Sequence, residues 1–224
     1  MSKTKKAVII GSVLVGIGVI IGFIGIAIGG FKFPNGAVDL TTMKALHAEK
    51  KTVQIADAFD KIEIAGASSM DIEICKSKTG KNYVEYYDTD DWTSRVDVKD
   101  RVLKFTTDDK GKHKAIVSLG FGKDTAARLY LADAEYKEIS VTTLSGYVTI
   151  QDVNAETVNV SASSGDLYMK NINAPDSIMA TSSSGDIDLE NATAKQIELG
   201  ANSGDIEMQD ITAESLRMST PRGD

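Results

Sequence analysis

The chain is poor in the residues that most often build cross-links or reactive centres. Its 224 residues include one cysteine, Cys75, so neither an intrachain disulfide nor a cysteine-built zinc site can form. Two histidines, His47 and His113, leave little imidazole for acid–base or metal chemistry. Three prolines and an aromatic content of 6% exclude collagen-like and proline-rich chains. A hydrophobic content of 42% is too high for an intrinsically disordered one. The net charge of −7 argues against binding nucleic acid through its phosphates, and no cofactor motif is present.

Charge is missing altogether between Ala7 and Phe31, a run of 25 residues. As a helix this run spans about 37 Å, enough to cross a hydrocarbon core of about 30 Å with some tilt. Lys3, Lys5 and Lys6 precede it, and a long acidic remainder follows. The positive-inside rule then predicts residues 1–6 as a cytoplasmic tail and 7–31 as a single transmembrane helix in the plasma membrane. Everything later lies outside the cell. The competing reading, a cleaved signal peptide, is disfavoured by a run longer than the usual ~7–15 residues and by the lack of an A-x-A site.

Within the span, Gly18 and Gly22, and again Gly25 and Gly29, have the spacing that lets two membrane helices approach closely. A homodimer, or control of a membrane signalling complex through this face, is one expectation; frequent glycine in membrane helices is the plainer one.

Residues 32–52 read as a juxtamembrane stalk. Leu40, Met43, Leu46 and His47 recur at helical spacing, which suits either a short amphipathic helix near the membrane surface or a segment that packs on the domain that follows. From Val53 the period changes to two. Residues 53–144 form a β region with strands expected at Lys61–Ala65, Met70–Cys75, Tyr83–Tyr87, Arg95–Val98, Val102–Thr106, Ala115–Leu119, Arg128–Leu131 and Glu138–Thr142. Cys75 is expected to be a packed or edge residue, having neither a second sulfur nor a histidine nearby. Trp92 and the pair Tyr86–Tyr87 could present a sugar-stacking surface or simply pack.

The strongest pattern is an internal repeat over residues 145–224. Gly146, Gly165, Gly185, Gly204 and Gly223 recur at intervals of 19, 20, 19 and 19, mostly within Ser-Gly-Asp. Periods near twenty predict a β-solenoid. From each glycine the same apolar columns follow: Val148, Leu167, Ile187 and Ile206, for example, or Val158, Ile178, Ile197 and Leu216. They alternate with Asp188, Glu190, Glu198 and Glu207, so each coil points its aliphatic residues inward and its charges outward. A smaller column, Ala162, Ser182, Ala201 and Thr220, predicts a narrow corner. The glycines are expected to provide positive φ at turns, with Asp or Ser oxygens capping nearby N–H groups. Asp166, Asp186 and Asp205 would also align along one edge, making them weak calcium candidates. One carboxylate per coil is sparse beside calcium repeats that supply one every nine residues. Arg222-Gly223-Asp224 spells a cell-attachment tripeptide but occupies the register of the other turns.

These features resemble a bacterial putative-adhesin family of β-strand-repeat domains without defined function. It includes membrane-anchored accessory proteins of Gram-positive envelope-stress operons. The matching residues are Phe59-Asp60-Lys61-Ile62-Glu63-Ile64, Arg128–Leu131, Lys137-Glu138-Ile139-Ser140-Val141 and the Ser-Gly-Asp series, from about Val53 to the end. Ala132 departs from the family's proline, and Tyr147 replaces the first turn aspartate. The resemblance implies a surface-exposed, non-catalytic β-solenoid; with the membrane span, the expectation is an extracellular module acting by contact with a protein or a cell surface. A β-helix polysaccharide enzyme is the alternative, but no pair of carboxylates has a spacing suited to glycoside chemistry. The excess of acids after Tyr147 either favours cationic partners or keeps a repetitive β surface soluble.

Overall fold

The computed structural model describes residues 37–39, 44–45, 48–67, 70–89, 92–109, 116–118 and 126–223, all of them strand or connecting turn. The strands in chain order are β1 Ala37–Asp39, β2 Lys44–Ala45, β3 Ala48–Gln54, β4 Lys61–Ala67, β5 Ile72–Lys76, β6 Tyr83–Thr89, β7 Trp92–Lys99 and β8 Val102–Asp109. They continue as β9 Ile116–Ser118, β10 Ala127–Leu131, β11 Glu135–Ser145, β12 Val148–Ser164, β13 Leu167–Ser182, β14 Ile187–Ala201 and β15 Ile206–Ser219. Each strand expected before residue 145 is present. The stalk differs: its described parts, β1, β2 and the start of β3, are extended rather than helical. Leu40, Met43, Leu46 and His47 themselves lie outside the described residues, as does the expected membrane span 7–31 with Gly18, Gly22, Gly25 and Gly29. Among the described residues no helix is long and apolar enough to cross a membrane.

The repeat forms a parallel β-solenoid. Val148 pairs with Leu167, Leu167 with Ile187 and Ile187 with Ile206, so the columns expected from sequence lie directly over one another. Each rung has two main faces. The first holds residues 148–151, 167–170, 187–190 and 206–209. The second holds 157–162, 177–182, 196–201 and 215–219. Between them each rung bends at Asp152, Asn171, Asn191 or Asp210, whose φ values of 50–57° are left-handed. Only short polar residues other than glycine take up this conformation readily, which accounts for Asp or Asn at every such bend. The 20-residue rung places its extra residue at a second corner: the register shifts between Ala174 and Ser177, around Pro175 and Asp176.

The solenoid begins earlier than the glycine series. Ile72 and Ile74 of β5 stack on Val148 and Ile150, and β4 stacks on β11 through Ile62–Ile139 and Ile64–Val141. Met70-Asp71-Ile72 is therefore a rung start with methionine in the glycine position. At this end both faces pass into antiparallel strands, β10–β6–β3 on one and β8–β7 on the other. Tyr86 meets Phe105 edge-on at 5.7 Å across the two faces and closes the apolar interior. At the opposite end, β15 pairs with β14 among the described residues.

The interior of the rungs is aliphatic. Ile74, Ile139, Ile150, Val158, Met169, Ile178, Ile187 and Ile197 are almost wholly buried. A void of about 10 Å³ between the faces is lined by Ile62, Ile64, Val84, Leu103, Phe105, Ala127 and Leu129. At the narrow corner the column Thr143, Ala162, Ser182 and Ala201 is buried, and the two hydroxyls donate to backbone carbonyls: Thr143 to Ser145 O at 3.0 Å, Ser182 to Gly165 O at 3.1 Å.

Candidate contact surfaces

Three surfaces could do chemistry or make contacts: the glycine edge, the outward faces and the terminal rung. Along the glycine edge, Gly146, Gly165, Gly185 and Gly204 have φ of 111, 128, 151 and 156°. A Cβ on Gly185 would also run into the carbonyl oxygen of Gly165 one rung away. Glycine is therefore required there for both conformation and close stacking. The turns are held rung to rung by Gly165 N–H to Ser184 O (2.9 Å) and Gly185 N–H to Ser203 O (3.1 Å). Gly223 continues the stack over Gly204, which places Arg222-Gly223 in the turn register. Asp224 lies outside the described residues.

The calcium candidates have a different job in this geometry. Asp166 Oδ1 accepts the N–H of Asp186 at 2.9 Å, and Asp186 Oδ1 accepts the N–H of Asp205 at 2.8 Å. Asp71 does the same for Tyr147 at 2.9 Å, so the carboxylate ladder caps backbone donors across successive turns. Among the described residues no three His, Cys, Asp or Glu side chains converge on a point where a metal could sit.

On the first face, β10 carries Arg128, which grips Glu73 with both Nε (2.6 Å) and Nη2 (3.3 Å). Tyr83 and Tyr130 stack at 4.4 Å beside Cys75. Burial, reinforced by Glu73, pushes the Cys75 thiol above its usual range, so it has little thiolate character. Further along, Lys170 Nζ and Glu190 meet at 2.6 Å, and Tyr168 donates to the same carboxylate at 3.1 Å. The Lys170 hydrogen bond holds the Glu190 carboxyl below the usual range. Asp188 is shifted the other way, by burial first and then by Glu207, Asp186 and Asp166. Tyr86 is buried and does not face solvent, whereas Tyr87 points outward on the alternate side of β6.

Where the solenoid meets its antiparallel end, Asp60 accepts from Lys137 Nζ at 2.8 Å and from Arg101 Nε at 3.1 Å. Lys137, then Arg101, keeps its carboxyl below the ordinary range. Arg101 is brought there by a tight β7–β8 hairpin with Asp100 and Arg101 both at positive φ. Phe59 stacks on Tyr136 at 5.7 Å. The Tyr136 hydroxyl reaches Ala132 O (3.2 Å) and Asn82 Oδ1 (3.3 Å), and burial pushes its pKa up to about 12. Ala132, where the resembled family has proline, uses the N–H that proline lacks: it donates to Asn82 Oδ1 at 2.6 Å.

The third surface is the last described rung, β15. Leu216 and Met218 occupy the inward columns above Ile197 and Leu199 but are 47% and 50% exposed; among the described residues β15 has β14 as its strand neighbour. Leu144 and Tyr147, beside the first glycine turn, are also exposed, where later rungs have Ser163 or Ser183 and Asp166 or Asp186.

This is a repeat protein with an aliphatic core, capped at one end by antiparallel strands and carrying no convergent reactive centre among its described residues. A family model, Toastrack DUF4097, matches residues 59–224, and the chain belongs to that family. Solved structures similar to it include one named putative cell adhesion protein from Clostridium sporogenes. It is 14% identical, covers 78% of this chain and 99% of that one, and has a TM-score of 0.43. Another is named putative adhesin, from Bacteroides fragilis (16% identity, 77% and 97% coverage, TM-score 0.33). A third is named putative lipid binding protein, from Parabacteroides distasonis (12% identity, 76% and 96% coverage, TM-score 0.25). No curated protein matches the chain.

Proposed function

We propose that the protein is a non-catalytic contact module, held outside the cell by residues 7–31 and engaging another protein or cell surface through its solenoid. The observation that carries this reading is where the polar chemistry goes. Several of the titratable groups described above are engaged in structural bonds: Asp166 and Asp186 cap turns, Asp60 clamps the antiparallel end, and Glu73 and Glu190 hold strand-to-strand ion pairs. An acid–base pair for catalysis must converge on a substrate-sized space. Here the outward residues are spread over flat sheet faces, an arrangement suited to broad contact.

The test is retention of partners by full-length protein extracted from membranes, compared with a chain lacking residues 145–224. Loss of retention on deletion is the expected result. Equal retention would remove the solenoid from the function and leave the membrane segment as the working part.

A further inference from the structure

Where the second face turns into the narrow corner, an open groove of about 320 Å³ runs along the solenoid axis. Ser161 and Thr181 form one wall, Ser163, Ser183 and Asn202 the other, and Ala162 and Ser182 the floor. Its middle lies on β13 and β14, which have strand neighbours on both sides, and Ser219 and Pro221 prolong it onto β15.

In the first wall the column Ser161, Thr181 continues into Gly200, where the side chain is missing. The fold does not ask for glycine at this place. Gly200 is not among the residues of positive φ, and a Cβ on it would meet only the Thr181 methyl, at 3.7 Å. Glycine inside a strand weakens it, and where no turn or bulge requires it a common reason is close approach of a ligand. Any side chain at Gly200 would project into the groove.

The lining limits what can lie there. It contains hydroxyls and an amide but no charged side chain. Thr181 donates to Ser161 Oγ at 3.2 Å, while the side chains of Ser163, Ser183 and Asn202 have no hydrogen-bond partner among the described residues. The backbone is already in use: Ser183 N–H donates to Ala162 O at 3.2 Å and Asn202 N–H to Ser182 O at 3.0 Å. An extended peptide therefore finds no open ladder to join. A ligand held through side-chain hydroxyls alone must bring many donors and acceptors of its own. The same groups recur at each rung, about 4.8 Å apart, which suits a chain of repeated units. Asp166 and Asp186 on the neighbouring glycine edge disfavour an anionic one.

We propose that this groove is a glycan site, taking a neutral, unbranched oligosaccharide that lies along the solenoid axis across Gly200. The proposal rests on the contact function above and names the cell-surface chemistry that the solenoid engages.

The test is fluorescence polarisation with the full chain, in micelles of a detergent without a sugar headgroup, and labelled cellohexaose, maltohexaose and chitohexaose as probes. At least one hexasaccharide is expected to bind, with affinity that does not change as salt rises. Gly200→Val, which suits a strand but fills the seat, should weaken binding at least tenfold with little change in the urea midpoint. Ser183→Ala with Asn202→Ala, which leaves the seat open, should weaken it about tenfold. Ser177→Val, on the same face but outside the groove, should bind as the parent does. Failure of all three hexasaccharides to bind, parent-like binding by both groove variants, or binding lost on adding salt would overturn the proposal. If no hexasaccharide binds while loss of residues 145–224 still abolishes partner retention, the contact function stands and only the glycan reading falls.

Discussion

At Gly185 two requirements coincide. The backbone sits at φ 151°, and any side chain would meet the carbonyl of Gly165 in the neighbouring rung. Gly200, on the second face, has neither constraint: a Cβ there would meet only the Thr181 methyl, at 3.7 Å. Gly185→Ala should therefore cost more than about 2 kcal/mol in urea unfolding, whereas Gly200→Ala should stay within about 0.5 kcal/mol. Comparable losses at both positions would show that stacking of the turns is not what requires glycine. The Asp60 clamp makes a prediction about pH. Its carboxyl is held below the ordinary aspartate value of 3.8, so the unfolded chain takes up the proton first as the solution is acidified. The stabilisation is then complete above about pH 3.8 and fades below it. Asp60→Asn should be less stable than the parent at neutral pH, with the difference shrinking below that value. A gap that stays constant down to pH 2 would mean the ion pairs contribute nothing. Asp188, whose carboxyl is raised, has the opposite sign: its charge becomes a liability as pH rises past the ordinary value.

Rungs are interchangeable as elements because each presents the same columns to its neighbours. Removing Asp166–Gly185, which is 20 residues, joins Gly165 to Asp186 and brings Ile187 over Val148 where Leu167 had been. The shortened chain should fold to a β protein with cooperative unfolding and a smaller denaturant m-value, since less surface is buried. Removing residues 166–175 alone would put second-face residues where first-face ones belong and should prevent folding. If both deletions behave alike by circular dichroism and urea titration, the columns do not define the fold. The same columns explain what could be read beforehand. Apolar residues at fixed offsets from a glycine are a local signal, and the parallel registers of β12 to β15 follow from it. The first rung was harder to see, because Met70 stands where the other turns have glycine, although Ser-Met-Asp-Ile-Glu-Ile otherwise keeps the pattern. The left-handed bends were legible and overlooked: Asp152, Asn171, Asn191 and Asp210 each follow their turn glycine by six residues. Two of their contacts form a side-chain ladder, Asn171 to Asp152 at 2.6 Å and Asn191 to Asn171 at 2.7 Å. The pairing of β3 with β6 and of β4 with β8 brings together segments distant in sequence and has no local signature.

For the molecule as a whole, the difference between a sealed end and an open one should appear as a gradient in local stability. Strands paired on both sides, such as β11, β12 and β13, can lose their hydrogen bonds only by opening between two neighbours, while β15 can detach from β14 alone. Native-state hydrogen exchange should therefore be slowest in those inner rungs and fastest in β15. Equal protection in β15 and β13 would mean that opening is all-or-none from end to end. The corner at Pro175 and Asp176 carries a separate lesson. One additional residue is accommodated there while the glycine spine on the far side keeps its alignment. Length can thus vary at a single seam without disturbing the stack, which marks that seam as the place for a fluorophore or epitope to be spliced in, and as the natural outlet for drift in the lineage.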